Sequence, residues 1–118
     1  MSWLPFDNGA TIGRRGSEGG VILRELEHPH GARIALERGG AVSPFAITCG
    51  IYGWMVHTSY YSTLREAEID YEKMKEDLSR ILSLIPLEDP PNVREAVRPS
   101  EAFPHVVDEI ERFIEHYR

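Results

Sequence analysis

The sequence lacks the features that mark several large classes of protein. Its 118 residues include one cysteine, so no disulfide can form within the chain and we expect a reducing compartment, the cytoplasm. No apolar run approaches the length of a membrane span, and the first residues lack the basic start and apolar stretch of a signal peptide. The proportions of 42% hydrophobic and 27% charged residues predict a single globular domain over residues 1–118, with no membrane partner.

A clustered positive charge is also missing. The net charge is -6, and the first 62 residues balance five arginines against five acids, so the acidic excess lies in the C-terminal half. Proteins that bind nucleic acid need clustered lysine and arginine to displace counterions from phosphates. The sequence therefore predicts no nucleic-acid partner.

Motifs that hold metals or phosphates are absent as well. The chain has neither paired cysteines nor an H-E-x-x-H pattern, and we predict no metal and no cofactor. The glycine-rich segment GATIGRRGSEGG, residues 9–20, offers backbone amides to an anion. It lacks the G-K-[ST] ending and the strand-to-helix setting of a phosphate loop, which favours a flexible loop.

The segment FAITCGIYGWMVHTSYY, residues 45–61, predicts a β-hairpin, because β-branched and aromatic residues flank the pair Tyr52-Gly53. A two-residue turn at that pair places Ile51 opposite Trp54 and Cys49 opposite Val56. This register gives one clearly apolar face. The other face carries small or weakly polar residues, namely Ala46, Thr48, Gly50, Met55, His57 and Ser59.

A second hairpin is predicted upstream, where VILRELE (21–27) and ARIALER (32–38) flank a turn at residues 28–31. Two registers remain open. One sets Leu23 against Leu36, and the other sets Leu26 against Ile34. Residues 10–15 add a short fifth strand at the edge of the sheet.

Two helices follow the strands. Thr63 and Glu66 form a capping box, and apolar residues recur at helical spacing until residue 85, which predicts a helix over 64–85. Residues 87–92 predict a loop and residues 93–97 a short turn, before a terminal helix over 104–117 that opens with Pro104. The fold class is therefore α+β: an antiparallel sheet of four to five strands within residues 10–61, with both helices covering one face.

Few side chains suggest catalysis. Cys49 and His57 are the obvious thiol and imidazole pair, but the hairpin register points them to opposite faces, which favours an ordinary buried cysteine. The strand carboxylates Glu25, Glu27 and Glu37 read as an exposed polar row.

The uncharged face of the 45–61 hairpin is the strongest functional signal. Such surfaces are typical of interfaces and ligand sites, so we expect a non-catalytic binding module, homodimeric, that takes a protein or small molecule. The candidate residues are Thr48, Tyr52, Met55 and His57. The alternative is a small enzyme with His57 as general acid or base in a cleft at the sheet edge or interface.

Overall fold

The sheet and the two helices predicted from the sequence are present. A computed structural model describes residues 2–85 and 103–118. Five strands form one antiparallel sheet in chain order, and both helices pack on one of its faces, so the fold is α+β. The elements are β1 Leu4–Pro5, a 3-10 turn Phe6–Gly9, β2 Val21–His28, β3 Ala32–Arg38, β4 Phe45–Ile51, β5 Met55–Tyr61, α1 Leu64–Leu84 and α2 Pro104–His116.

The hairpin of β2 and β3 contains both registers that its sequence left open. Leu26 pairs with Ile34 near the turn, whereas Ile22 pairs with Glu37 near the open end. The shift lies between Ile22 and Arg24, where a β-bulge adds one residue to β2. A single-register pattern could not have fitted this pair of strands.

The predicted register of the β4–β5 hairpin is wrong by one residue. Ile51 pairs with Met55, so the loop has three residues and not two. Trp54 N–H donates to the carbonyl of Ile51 at 2.9 Å, and Gly53 has φ 82° at the third turn position. Gly53 therefore supplies the positive φ that the turn requires, but Trp54 follows it as an extra loop residue.

This one-residue slip moves every side chain of β5 to the other face of the sheet. Cys49 now lies opposite His57, and Thr48 lies opposite Thr58. Met55 and His57 face the helices with Cys49, whereas Thr48 faces away from them. The predicted single surface of Thr48, Met55 and His57 does not exist.

The helices follow the predicted local signals. Glu66 N–H donates to the Thr63 hydroxyl at 3.2 Å, and that hydroxyl donates to the Glu66 carboxylate at 3.1 Å. The α1 residues buried against the sheet are Ala67, Tyr71, Met74, Leu78, Ile81 and Leu82. In α2 they are Val106, Ile110 and Phe113. Each helix ends one residue before the prediction, and none of the described helices is long and apolar enough to cross a membrane.

The predicted edge strand at residues 10–15 is wrong. The strand beside β2 is Leu4–Pro5, with Leu4 opposite Glu27. Residues 10–20 form turns, and only Arg15 bridges to Val21. The positive φ of Gly13 and Gly19 breaks any extended run there. The loop at 87–92 and the turn at 93–97 lie outside the described residues.

The core predicts a clear contrast between buried and exposed positions. Ile47 and Leu78 are fully buried, so Ile47→Ala and Leu78→Ala should each lower the free energy of unfolding by about 2 to 4 kcal/mol through lost burial and a cavity. Ile69 lies on α1 but is 47% exposed, and Ile69→Ala is the matched control. Denaturant midpoints for the two core variants equal to that of the control would contradict this core.

Candidate functional site

The face of the sheet turned away from the helices is covered by the glycine-rich segment. We call it the open face, in contrast to the face on which the helices pack. It carries Glu25, Ala35 and Thr48 side by side on β2, β3 and β4. Ala35 is buried although neither of the described helices lies on this face. The 10–20 segment crosses this face, since Ser17 on it lies 3.4 Å from the Thr48 hydroxyl. The open face therefore has a cover made by the chain itself.

Glu37 attaches that cover to the sheet. Its carboxylate is 1% exposed and accepts hydrogen bonds from the backbone of Gly20 at 3.1 Å and Glu18 at 3.2 Å, and from the Ser17 hydroxyl at 3.4 Å. A side chain at Gly16 would put its Cβ 2.3 Å from the Glu37 carboxyl carbon. The loop amides do surround an anion, as a phosphate loop would, but the anion is the protein's own Glu37.

A cavity lies between the 10–20 segment, the open face and the β4–β5 loop. Its volume is about 830 Å³, and its lining includes Thr11, Glu25, Arg33, Thr48 and Trp54. Cavities of this size are typical of sites for small organic molecules. The site is thus formed by a loop on a sheet rather than by the helices.

The cavity wall holds two buried side-chain atoms that lack a hydrogen-bond partner within the described part of the chain, Oε1 of Glu25 and Oγ1 of Thr11. Glu25 is 3% exposed, and its other oxygen accepts from Arg33 Nε at 2.5 Å. The Arg33 guanidinium also stacks 3.8 Å from the Phe6 ring centre. An unmade hydrogen bond to a buried group costs about 1–3 kcal/mol, so these two atoms are candidate contacts for a further polar group.

The rim of the cavity is positive. Arg14 and Arg15 line it and are exposed, and neither forms an ion pair with residues 2–85 or 103–118. With Arg33, three arginines line a cavity whose acids are Glu25 and Glu37. This local balance is opposite in sign to the net charge of the whole chain.

The structure brings three of the four predicted site residues to this cavity. Thr48, Tyr52 and Met55 line it, although Met55 also packs against the core on the helix side of the sheet, and the Tyr52 hydroxyl donates to Glu27 at 2.7 Å. Sequence reasoning missed Thr11, Glu25 and Arg33. The expected exposed row of strand carboxylates is wrong, since Glu25 and Glu37 are buried. Their alternation with Leu26 and Leu36 was visible in the sequence, but the loop that covers them was not.

His57 lies on the other face and does not line the cavity. Its Nε2 is 2.8 Å from the Tyr117 carbonyl oxygen, so it donates there. The Ser59 hydroxyl donates to the same carbonyl. These bonds satisfy a carbonyl just past the C-terminal end of α2. The environment of His57 is that of a helix-end contact rather than of a catalytic base.

The observed register brings the thiol of Cys49 and the imidazole of His57 back into consideration as a catalytic pair, because the two residues are direct neighbours on adjacent strands. Burial, however, raises the pKa of the Cys49 thiol to about 12. A thiol with this pKa stays protonated at neutral pH, and the thiolate is the reactive species. Cys49 is therefore inert because it is desolvated, and not because it faces away from His57. Among the described residues, no three side chains of metal-binding type lie together.

Thiol labelling tests this assignment. Because the pKa of Cys49 is raised to about 12 from 9.0 and the residue is buried, iodoacetamide should label the native protein far more slowly than the unfolded chain at every pH between about 7 and 9, since a much smaller fraction of its thiol is ionised. The unfolded chain should react faster and accelerate over that range, as an ordinary cysteine ionises. Labelling of the native protein at the rate of the unfolded chain would show that the thiol is accessible and ionised.

The comparisons with known proteins leave the geometry as the source of any functional assignment. No family model, no curated protein and no solved structure matches this chain. A functional proposal therefore rests on the cavity of the open face, on its two polar atoms without a partner among the described residues, and on its arginine rim.

Proposed function

We propose that this protein is a non-catalytic binding module that takes a small organic ligand in the cavity on the open face of its sheet. The observation that carries the proposal is the buried Glu25 Oε1, which has no partner among the described residues and belongs to a residue of the cavity wall. Thr11 adds a second such atom. A ligand that bonds to these atoms recovers free energy that the free protein forgoes.

Binding is favoured over catalysis by the state of the groups around the cavity. The Thr48 hydroxyl lies 3.4 Å from the hydroxyls of Ser17 and Thr58, and no imidazole of the described residues lies beside it to remove its proton. Glu37 is fully engaged by the loop. His57, the acid or base of the enzyme alternative, points to α2. The cavity thus offers recognition groups without an activated nucleophile.

We also propose the cytoplasm as the location. The single cysteine of the sequence is buried and free, and unpaired thiols of this kind suit a reducing compartment.

Ligand binding is tested by NMR titration of the ¹⁵N-labelled protein with a library of small organic fragments. Fragments should shift the amides of Thr11, Glu25 and Thr48, and Thr48→Phe should weaken binding and so reduce these shifts, because its ring occupies the part of the cavity beside Ser17. Thr58→Phe is the matched control, because Thr58 is the cross-strand neighbour of Thr48 but does not line the cavity. No fragment shifting these amides in the wild type, or equal binding to Thr48→Phe, would refute the proposal.

We further propose that the protein is a homodimer paired through β5. One edge of the sheet ends in β1, which has two residues and contains Pro5, a common way to block pairing. The other edge, β5, has seven residues with no proline, bulge, lysine or acid. None of the described residues pairs with its outer side.

The sequence of β5 suits pairing with a second copy. A two-fold axis at Thr58 sets Val56 opposite Tyr60 of the partner subunit, which is a favourable β-branched and aromatic pair. Val56 is 78% exposed in the single chain. The dimer would extend the sheet across the two subunits, and Val56, which also lines the cavity, would place the interface beside it.

The oligomeric state is measured by light scattering. The wild type should scatter as a dimer, and Val56→Lys should shift it to monomer, because a charge on an edge strand opposes pairing. Ile69→Lys is the control, since Ile69 is exposed on α1 away from this edge. A wild-type monomer, or a Val56→Lys dimer as stable as that of the control, would contradict pairing through β5.

A further inference from the structure

Within the proposed binding function, the wall and the rim of the cavity are complementary to different chemical groups of one ligand. Glu25 Oε1 belongs to a carboxylate, which can only accept hydrogen bonds while ionised. Its natural complement is an N–H or O–H donor. The Thr11 hydroxyl can accept from such a group or donate to it.

The donor should be neutral. Arg33 already pairs with Glu25 through Nε and Oε2 at 2.5 Å, so the carboxylate carries a compensating positive charge beside it. A ligand ammonium would add a second cation to a cavity that three arginines line. An ammonium moved out of water without a free counter-charge loses its hydration uncompensated, which weakens binding. A hydroxyl or amide N–H makes the missing bond without that penalty.

The rim is complementary to an anionic group of the ligand. Arg14 and Arg15 lie at adjacent positions, are exposed, and form no ion pair with the described residues. The two acids of the cavity cannot serve them, because Glu25 is held by Arg33 and Glu37 by the loop amides. A guanidinium pairs best with a planar carboxylate that accepts two hydrogen bonds.

We infer that the ligand is a small carboxylate that also carries a neutral hydroxyl or amide N–H, with the carboxylate at Arg14 and Arg15 and the neutral donor at Glu25 and Thr11. This inference rests on the proposed binding function and names its ligand class. The apolar part of such a molecule would lie along Ile22 and Ala35, which line the cavity between strands β2 and β3.

Four matched probes test the assignment by NMR titration: 6-hydroxyhexanoate, hexanoate, hexan-1-ol and 6-aminohexanoate, each with shorter and longer homologues. The hydroxy acid with the best-fitting length should bind about tenfold more tightly than the acid or the alcohol of the same length, since each lacks one charge-assisted hydrogen bond. The aminoalkanoate of that length, such as 6-aminohexanoate, should bind more weakly than the hydroxy acid.

Two sets of variants assign the ends of the ligand. The double variant Arg14→Gln with Arg15→Gln should bind hexanoate and the hydroxy acid more weakly and hexan-1-ol with unchanged affinity. Arg38→Gln, outside the cavity lining, should change none of these affinities. Glu25→Gln should reduce the advantage of the hydroxy acid over the plain acid, because the amide offers a neutral hydrogen bond in place of a charge-assisted one, and Glu27→Gln on the same strand should keep the full advantage. If Glu25→Gln fails to fold, Thr11→Val tests the same end.

The outcomes separate this inference from the function on which it rests. Equal affinity for acid, alcohol and hydroxy acid would overturn the ligand class and leave a cavity that binds small molecules. Tightest binding of the aminoalkanoate would overturn the inference that the ligand's donor group is neutral. Absence of binding by all four probes and by the fragment library would overturn both.

Discussion

The open face depends on one buried carboxylate, that of Glu37. An ionised side chain can remain buried only where hydrogen bonds replace its hydration. Here the backbone amides of Glu18 and Gly20 do so, and they can reach the carboxylate only if the glycine-rich loop folds over the sheet. The loop in turn requires Gly16, because a side chain there would overlap the carboxyl group. The cavity exists because this interaction holds a loop above a sheet.

Two buried acids on the same face are stabilised in different ways, and the difference suggests where function lies. Glu37 accepts bonds on both oxygens from the 16–20 loop. Glu25 has one oxygen bonded to Arg33 and one with no partner among the described residues. The first arrangement is complete and structural. The second is incomplete and belongs to the cavity wall, which is why we propose Glu25 as a recognition residue.

The helices and the fold class were predictable because their signals are local. The Thr63 and Glu66 cap and the apolar stripe of α1 depend on residues a few positions apart, and the structure confirms both. The β4–β5 register was not predictable to one residue, since Gly53 fits a turn in either a two-residue or a three-residue loop. That single residue moved His57 from the open face to the helix face.

The cavity could not be predicted for a different reason. Its wall combines strands β2 to β5 with two loops, and nothing in the spacing of Thr11 or Arg14 indicates that they line one cavity with Glu25. Glycines at 16 and 20 read equally as flexibility or as close packing. The structure decides for close packing, because Gly16 lies against the Glu37 carboxylate and Gly20 against the backbone of Arg38 and Gly40.

Amide hydrogen exchange of the 16–20 loop tests the central claim most directly. If Glu37 holds this loop, the amides of Glu18 and Gly20 exchange as slowly as those of neighbouring strands, and Glu37→Gln accelerates them while α1 stays protected. The Ser17 amide, which has no hydrogen-bond acceptor among the described residues, exchanges fast in both proteins. Exchange of Glu18 and Gly20 in the wild type at the rate of an unstructured peptide would contradict the account.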